Sequence, residues 1–375
     1  MNEEILLARA YLSRVAEPPA AALVGLVAEV GPVEAAARVR EGRVDEPVAR
    51  ETSVRRQVHR PGTDLDAAAA AGARLVVPEH PEWPAEAFAA FDAAPEQLAP
   101  PLALWVRGPG RLDELCGTAV AVVGARAATS YGAHVAAELG SGLADRGCTV
   151  VSGAAIGIDG AAHRGALAVE GATVAVLACG IDRIYPASHE LLLERIAASG
   201  LVVSEYPPGG VPARHRFLVR NRLIAGLAVG TVVVEAGLRS GAQRTAADAM
   251  SLGRQVMAVP GPVTSAMSVG CHRLVRDGAL LVTRSDEVLE AVAPIGSHLA
   301  ETPEPRADRP TDGLDPAAAR VHDALPARGA RDTRWLALES GMPIGAVRIA
   351  LVALERRGLV EHCEGRWRRR VVVEV

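Results

Sequence analysis

A dense cluster of basic residues around one phenylalanine is the segment of this sequence best suited to bind a ligand. The members of the cluster are Arg214, His215, Arg216, Phe217, Arg220, Asn221 and Arg222. No acidic residue lies between Glu205 and Glu235, so the segment is locally cationic although the chain has a formal charge of −4. Guanidinium groups bind phosphates, and an aromatic ring stacks on a base with roughly 1–3 kcal/mol per base. Because Phe217 stands among charges rather than apolar neighbours, we favour a single-stranded nucleic-acid site over a solvated basic loop.

Three glycine-containing turns that follow strand-like runs add candidates for phosphate binding. The turns contain Gly124 and Arg126, Ser152 and Gly153, and Ser240 and Gly241. Glycine allows the backbone to approach an anion closely, and the N-terminus of a following helix attracts negative charge. The turns do not have the GxGxxG spacing, so no dinucleotide cofactor is expected. Asn221 has two open roles, recognition of a base edge or capping of a helix.

Three further polar residues are interpreted as support for this site. Asp159 is expected to cap the helix after the second turn, and His163 follows it four residues later. This pair could bind a metal, but no third ligand lies nearby in sequence, so we predict no metal. Glu235 follows a strand where a nucleotide hydrolase would place its acid, or it bonds loop N–H groups or an arginine such as Arg222. No Ser-His-Asp order, carboxylate pair or activated cysteine accompanies it, which disfavours an enzyme.

The composition excludes several other kinds of chemistry. All 40 basic residues are arginine, so P-loop lysine chemistry, Schiff bases and lysyl nucleophiles are absent. The five cysteines show no CxxC pair, which argues against a zinc site and a disulfide framework and fits a reducing compartment. The first residues are acidic and lack a signal-peptide pattern, and no long uninterrupted apolar run is present. We therefore expect a cytoplasmic protein that does not enter a membrane.

The order of apolar runs predicts three folded regions. Residues 1–68 show helical spacing, and their 26–32 stretch could be half of a helix-hairpin-helix or a plain helical cap. Residues 69–293 alternate continuous apolar strands with helices, which predicts an α/β fold with a doubly wound parallel sheet of seven strands. Residues 294–312 are rich in proline and charge and are expected to form a linker. Residues 313–375 have the order helix, turn, helix, strand and basic wing.

Seven linked motifs in the 72–293 region make the chain resemble the DprA/Smf family of DNA-processing proteins. The motifs are AVVGARAATSYG, VVSGAAIGIDGAAHRGAL, VAVLACGIDRIYP, SEYPPG, FLVRNRLIAGL, VVVEAGLRSG and VPGPVTSAMSVGCHRLVRDGA. This resemblance implies an extended Rossmann-like domain, with a SAM-like helical domain before it and a winged-helix domain after it. It also implies a cytoplasmic homodimer without catalytic turnover that binds single-stranded DNA, protects incoming or exposed strands and loads RecA recombinase onto them in natural transformation and recombination.

The resemblance also assigns roles to individual residues. Arg126, Arg214 and Phe217 correspond to family positions that grip single-stranded DNA. Arg214 stands where relatives commonly have lysine, which keeps the charge but changes the hydrogen-bonding geometry. Leu218 replaces a usual proline, and Gln243 with Arg244 replaces apolar residues, so the pocket wall differs from the family pattern in detail.

Two alternative functions remain at this point. Glycine-rich loops and Glu235 are also compatible with a nucleotide-processing enzyme of the phosphoribohydrolase type. In the second alternative, residues 313–375 are the main DNA-binding unit, since Arg366, Arg368, Arg369 and Arg370 crowd their basic wing. The same unit could equally dock partner proteins.

Overall fold

The computed structural model describes residues 2–293, 311 and 313–370, so nearly all of the predicted linker 294–312 lies outside the described residues. The chain divides into two compact units, Met1–Ala300 and Glu301–Val375. Within the described ranges no single helix has both the length and the apolar character needed to cross a membrane. The bent pair Thr333–Ser340 and Ile344–Arg356 reaches the required length and apolar composition only when its two helices are counted together.

A nine-stranded sheet forms the centre of the first unit, in the order β1-β2-β6-β5-β4-β3-β7-β8-β9. Its strands are β1 (Ala73–Val76), β2 (Leu104–Arg107), β3 (Val120–Val123), β4 (Val150–Ser152), β5 (Thr173–Leu177), β6 (Leu201–Ser204), β7 (Gly230–Val233), β8 (Gln255–Ala258) and β9 (Leu280–Leu281). From β6 to β9 all neighbouring strands are parallel, whereas β1 and β2 add an antiparallel edge. The predicted α/β fold with seven parallel strands is confirmed.

The first unit contains helices that cover both faces of this sheet and N-terminal helices that pack in a cluster of their own. They are α1 (Glu3–Val15), α2 (Ala21–Val30), α3 (Pro32–Glu41), α4 (Glu46–Thr52), α5 (Pro61–Ala70), α6 (Ala85–Phe88), α7 (Leu112–Cys116), α8 (Ser130–Asp145), α9 (Ile158–Ala168), α10 (Glu190–Ser199), α11 (Arg214–Gly226), α12 (Gly241–Ser251), α13 (Val269–Arg276) and α14 (Ser285–Val292). Alternate side chains of β3 lie on opposite faces of the sheet. Val120 and Val122 pack against α8 and α9 on one face. Ala121 and Val123 pack against α11 and α12 on the other face. A strand buried on both faces must be apolar at every position, which explains its continuous VAVV sequence.

The N-terminal helices join the sheet domain directly. Arg14 donates a hydrogen bond to the carbonyl oxygen of Pro208 at 2.7 Å, and Arg216 donates to both carboxylate oxygens of Glu17 at 2.7 and 2.8 Å. Ala10 shares a buried cluster with residues of β1 and β2. The boundary near residue 68 thus falls inside one compact unit, and a separate SAM-like domain stays a proposal. These contacts also engage the guanidinium group of Arg216, the residue that immediately precedes Phe217 in the basic cluster.

The described residues of the second unit form three helices and a hairpin. Its elements are α15 (Pro316–Ala324), α16 (Thr333–Ser340), α17 (Ile344–Arg356), β10 (Val360–Cys363) and β11 (Arg366–Arg369). Helices α16 and α17 meet at 105°, within the range of a helix-turn-helix. Gly341 ends α16 in the left-handed conformation, with φ of 63°, that lets the chain turn. This order of elements is the one predicted for a winged helix.

Candidate nucleic-acid interface

A large cavity lies where the direction of the sheet reverses. Strand β3 lies between β4 and β7. After β3 the chain adds β4, β5 and β6 on one side of it and then adds β7, β8 and β9 on the other side. Ligands of such sheets bind beyond the carboxyl ends of the strands at this switch point. The cavity has a volume of about 890 Å³. The predicted site residues in its lining are Gly124, Arg126, Arg214, Phe217, Arg220, Asn221, Ser240 and Gly241, together with Asp159.

The mouth of the cavity combines aromatic rings with guanidinium groups. Helix α11 presents Phe217 half-buried and Arg214 exposed. The guanidinium carbon of Arg126 lies 5.0 Å from the centre of the Phe217 ring, within cation–π range. The ring of Tyr185 lies 5.2 Å from that of Phe217 at an angle of 46°, and Tyr185 is 39% exposed. The arrangement offers π faces and positive charge side by side, as a base and its phosphate require.

Sequence reasoning did not single out Tyr185. It stands in the loop between β5 and α10, a segment without the periodicity that marks helices and strands. The one available signal is the scarcity of aromatics, which make up 3% of the chain. A tyrosine after a strand of the predicted sheet is therefore unusual enough to have been a candidate.

The floor of the cavity is positively charged and rigid. Arg220 is buried and donates to the carbonyl oxygen of Val176 at 2.6 Å, and burial lowers its pKa to about 10. The neighbouring Asp159 carboxylate opposes that shift and accepts the N–H groups of Gly153 and Ala155 at 3.1 and 3.4 Å. A Cβ atom at Gly153 would lie 2.0 Å from Nη1 of Arg220, so a larger residue there would displace the buried guanidinium group. Arg220 remains charged at neutral pH, and its Nε has no partner among the described residues.

Asn221 and the start of α12 form the opposite wall. The amide nitrogen of Asn221 donates to the carbonyl oxygen of Gly241 at 3.3 Å and so ties α11 to α12. Ser240 caps α12 by accepting the N–H of Ala242 at 3.3 Å. Asn221 thus links two helices from inside α11 instead of capping one. The first turn of α12 has no acidic residue, and its Gly241 and Ala242 are part of the cavity lining, so the partial positive charge of the helix N-terminus lies at the cavity.

Glu235 supports the loop beside the cavity. Its carboxylate accepts the backbone N–H of Thr129 at 2.9 Å and the Thr129 hydroxyl at 2.6 Å. Glu235 is buried and absent from the cavity lining. Of its two predicted structural roles, the structure shows the bonding of loop N–H groups and not a bond to Arg222. Both carboxylate oxygens are engaged in holding the start of α8, so Glu235 is not placed to attack or protonate a ligand in this cavity.

Two residues assigned to binding lie away from the cavity. The hydroxyl of Ser152 is fully buried and donates to the carbonyl oxygen of Val122 at 2.6 Å, which links β4 to β3. Arg222 is 1% exposed and donates to both carboxylate oxygens of Glu205 at 2.7 and 2.8 Å. The structure therefore corrects both assignments, because neither side chain can reach a ligand. Gly153 is not in the lining of the large cavity and instead lines a second, smaller cavity.

His163 acts within the core rather than at the surface of the site. The Thr173 hydroxyl donates to the carbonyl oxygen of Val150 at 2.7 Å, so it accepts the Nδ1 proton of His163, also at 2.7 Å. Burial, with positive charge from His189 and Arg220, lowers the pKa of His163 to about 3. The residue is a neutral element of the β4–β5 packing. Within the described residues, no group of three or more His, Cys, Asp or Glu side chains forms a candidate metal site.

These features define a Rossmann-like protein whose cationic and aromatic cavity lies at the switch point of a parallel sheet. Residues 74–293 match the family model described as DNA recombination-mediator protein A. The chain belongs to this family, which confirms the resemblance to DprA/Smf proteins.

The chain is also similar to individual proteins and to solved structures. A DprA protein of Mycobacterium tuberculosis is 55% identical over 96% of this chain and 93% of its own. The X-ray structure of DNA processing protein A from Streptococcus pneumoniae is similar with a TM-score of 0.64 and 30% identity, over 78% of this chain and 99% of that one. A Helicobacter pylori structure, described for the single-stranded DNA binding mode of DNA processing protein A, aligns with a TM-score of 0.49 and 30% identity over 54% and 90% of the two chains.

Proposed function

We propose that this protein is a recombination mediator that binds single-stranded DNA in the cavity at the β3–β7 switch point. The observation that carries the proposal is the contact between the Arg126 guanidinium and the Phe217 ring at the cavity mouth, with Tyr185 beside them. Single-strand-binding proteins combine a positive groove for the backbone with rings on which bases stack. Membership of the DNA recombination-mediator family supports the same class of ligand.

The cavity favours a binding protein over a nucleotide-processing enzyme. The carboxylates closest to it have structural partners: Glu235 holds Thr129, and Asp159 holds two loop N–H groups. Burial also raises the pKa of Asp159, although Arg220 and three backbone hydrogen bonds act against that shift. A hydrolase would need an acid that is free to act on the ligand, whereas Glu235 is outside the cavity lining and Asp159, which is in the lining, is engaged by the N–H groups of Gly153 and Ala155. A released base from a nucleoside monophosphate would reverse this conclusion.

Binding of an oligo-dT strand and of a matching duplex, measured by fluorescence anisotropy across salt concentrations, tests the proposal. We expect preference for the single strand and a log–log salt slope of about −0.7 per neutralised phosphate. Phe217→Ala is expected to weaken single-strand binding by about 1–3 kcal/mol, because it removes the stacking surface.

Phe217→Leu is the matched control, since it keeps apolar volume but has no π face, and it should lose nearly as much affinity as Phe217→Ala. Full affinity for oligo-dT in both variants would show that the DNA contact lies outside this cavity. The arginine-rich strand β11 would then be the next segment to test. Absence of single-strand binding by the wild-type protein would disprove the proposed function itself.

Loading of RecA recombinase is the second part of the proposal, and it rests on the family resemblance. The test is the DNA-dependent ATPase rate of RecA on strands already coated with single-strand-binding protein. We expect the wild-type protein to raise this rate and Phe217→Ala to raise it less, in proportion to its weaker DNA binding. An unchanged rate with a protein that still binds DNA would limit the function to strand protection.

A homodimer is the third part, and the sheet edge offers a physical reason for it. Strand β9 ends the sheet, and its Leu280 and Leu281 are 45% and 53% exposed. Apolar edge strands without protection tend to pair with another chain. We expect Leu280→Glu with Leu281→Glu to convert a dimer to a monomer in light scattering after size exclusion, with unchanged circular dichroism. A dimer that persists would place the interface on another surface.

A further inference from the structure

The helix that carries Phe217 begins with a turn that its own sequence does not stabilise. Helix α11 starts at Arg214, and its N-cap residue Ala213 makes no side-chain capping hydrogen bond. The first turn has no acidic residue and instead contains the cationic Arg214 and Arg216. Because the N-terminal end of a helix carries partial positive charge, cations are unfavourable there and a carboxylate is stabilising. This turn should therefore fray unless another part of the chain holds it.

A carboxylate from the N-terminal region lies at this turn. Glu17 follows α1 and accepts hydrogen bonds from Nε and Nη2 of Arg216 at 2.7 and 2.8 Å. The Nε2 atom of His215 lies 3.1 Å from one oxygen of the same carboxylate. Burial raises the pKa of the Glu17 carboxyl, but hydrogen bonds from Arg216 and Arg55 outweigh burial and hold the pKa below its usual range. Glu17 is therefore ionised at neutral pH and supplies the negative charge that the first turn of α11 lacks.

Further contacts fix both members of the Glu17–Arg216 pair. Arg55, which follows α4, donates to the Glu17 carboxylate at 2.6 Å. Arg216 also donates to the carbonyl oxygen of Val211 at 2.8 Å, and its guanidinium carbon lies 4.5 Å from the centre of the buried Tyr206 ring. The side chain of Arg216 is 13% exposed and is absent from the lining of the large cavity. The pair thus belongs to the packing between the N-terminal helices and α11 and is not a phosphate-binding group held in reserve.

We propose that Glu17 is a positioning residue for single-stranded DNA binding, which orders the first turn of α11 so that the Phe217 ring faces the cavity. The inference rests on the proposed function and adds that the N-terminal helices contribute to it without touching the strand. Phe217 follows Arg216 directly, so a backbone that is fixed at one residue also fixes the direction of the other. When folding has already ordered this turn, the strand meets a preformed surface and binding does not bear the cost of ordering it.

Removal of the Glu17 charge tests the inference, because simple electrostatics predicts the opposite result. DNA is a polyanion, so loss of a carboxylate near the cavity should by itself strengthen binding. Glu17→Gln keeps the size of the side chain, and we expect it to weaken oligo-dT binding about 5-fold in anisotropy titrations, since the first turn of α11 frays. Glu41→Gln is the matched control, because Glu41 is a half-exposed acid of the same region that pairs with Arg43. Its affinity for oligo-dT should stay within about 2-fold of wild type.

A double-mutant cycle with Phe217 separates positioning from a general effect of charge or stability. If Glu17 acts through the placement of the Phe217 ring, its replacement should matter little once the ring is absent. We therefore expect Glu17→Gln with Phe217→Ala to bind oligo-dT within about 2-fold of Phe217→Ala alone, whereas independent effects would multiply. Amide hydrogen exchange locates the change: Glu17→Gln should speed exchange in residues 211–220 and leave α8 as in wild type.

Glu17→Asp keeps the test decisive if Glu17→Gln does not fold, which circular dichroism would show. Aspartate retains the charge but is one methylene shorter, so it should weaken oligo-dT binding by less than 5-fold and again lose that effect in the Phe217→Ala background. Equal or tighter binding by a folded Glu17→Gln, or fully multiplicative losses in the double variant, would overturn the inference and leave the proposed function standing. Failure of the wild-type protein to bind oligo-dT would instead reject the proposed function.

Discussion

Glu205→Ala is expected to lower the free energy of unfolding of the first unit by about 3–5 kcal/mol, the range found when one partner of a buried ion pair is removed. The side chains of Arg222 and Glu205 are 1% and 7% exposed, and one guanidinium nitrogen donates to both carboxylate oxygens. Alanine would leave the guanidinium charged and buried, and the Nε and Nη1 atoms of Arg222 already have no partner among the described residues. Urea unfolding followed by circular dichroism measures the change.

The double variant Glu205→Leu with Arg222→Met is the control. Replacement of both charges by apolar groups of similar size removes the uncompensated charge, so most of the lost stability should return. The same variant tests the original assignment of Arg222 to DNA binding, and we expect its affinity for oligo-dT to stay within 2-fold of wild type. A 10-fold loss in a stable double variant would return Arg222 to the binding surface.

Local patterns predicted the fold because each strand carries its own signal. A run such as VAVV at 120–123 is apolar at every position, which only a strand covered on both faces tolerates in an α/β chain. A glycine turn then follows at 124, and the chain enters α8 capped by Thr129. Since parallel strands end at the same edge, the turns after β3 and β7 had to meet, and this placed the site at the switch point.

Such local patterns do not predict which side chains of the basic cluster line the cavity and which are buried. Phe217 and Arg222 lie in the same helix, five residues apart, yet one lines the cavity and the other is buried. The difference comes from Glu205, which follows β6 and meets Arg222 only once the sheet has formed. Arg216 is likewise taken by Glu17, which is nearly two hundred residues away in sequence. Pairings over such distances leave no periodic trace in a single sequence.

Acidification is expected to destabilise the first unit through His163, whose pKa is about 3 in the fold against about 6.5 in an unfolded chain. The folded state holds the ring neutral, so below pH 6.5 the unfolded state binds the extra proton. Stability from this residue is therefore complete above pH 6.5 and falls by about 1.4 kcal/mol per pH unit as the pH drops toward 3. At pH 4.5 the loss from His163 alone is about 2–3 kcal/mol.

The measurement is the free energy of unfolding of wild type and His163→Gln between pH 7.5 and 4.5. Glutamine can still donate to the Thr173 hydroxyl but does not titrate, so the variant is less stable at pH 7.5 and its pH profile is flatter. Carboxylates such as Asp159 and Glu205 titrate in both proteins, so the difference between the two profiles isolates the histidine. Parallel profiles would show that the pKa of His163 is the same in the folded and unfolded states. That result would contradict the hydrogen-bond assignment, in which the packing between β4 and β5 surrounds a neutral ring. In that assignment His163 stabilises the strands next to the cavity and does not contact the ligand.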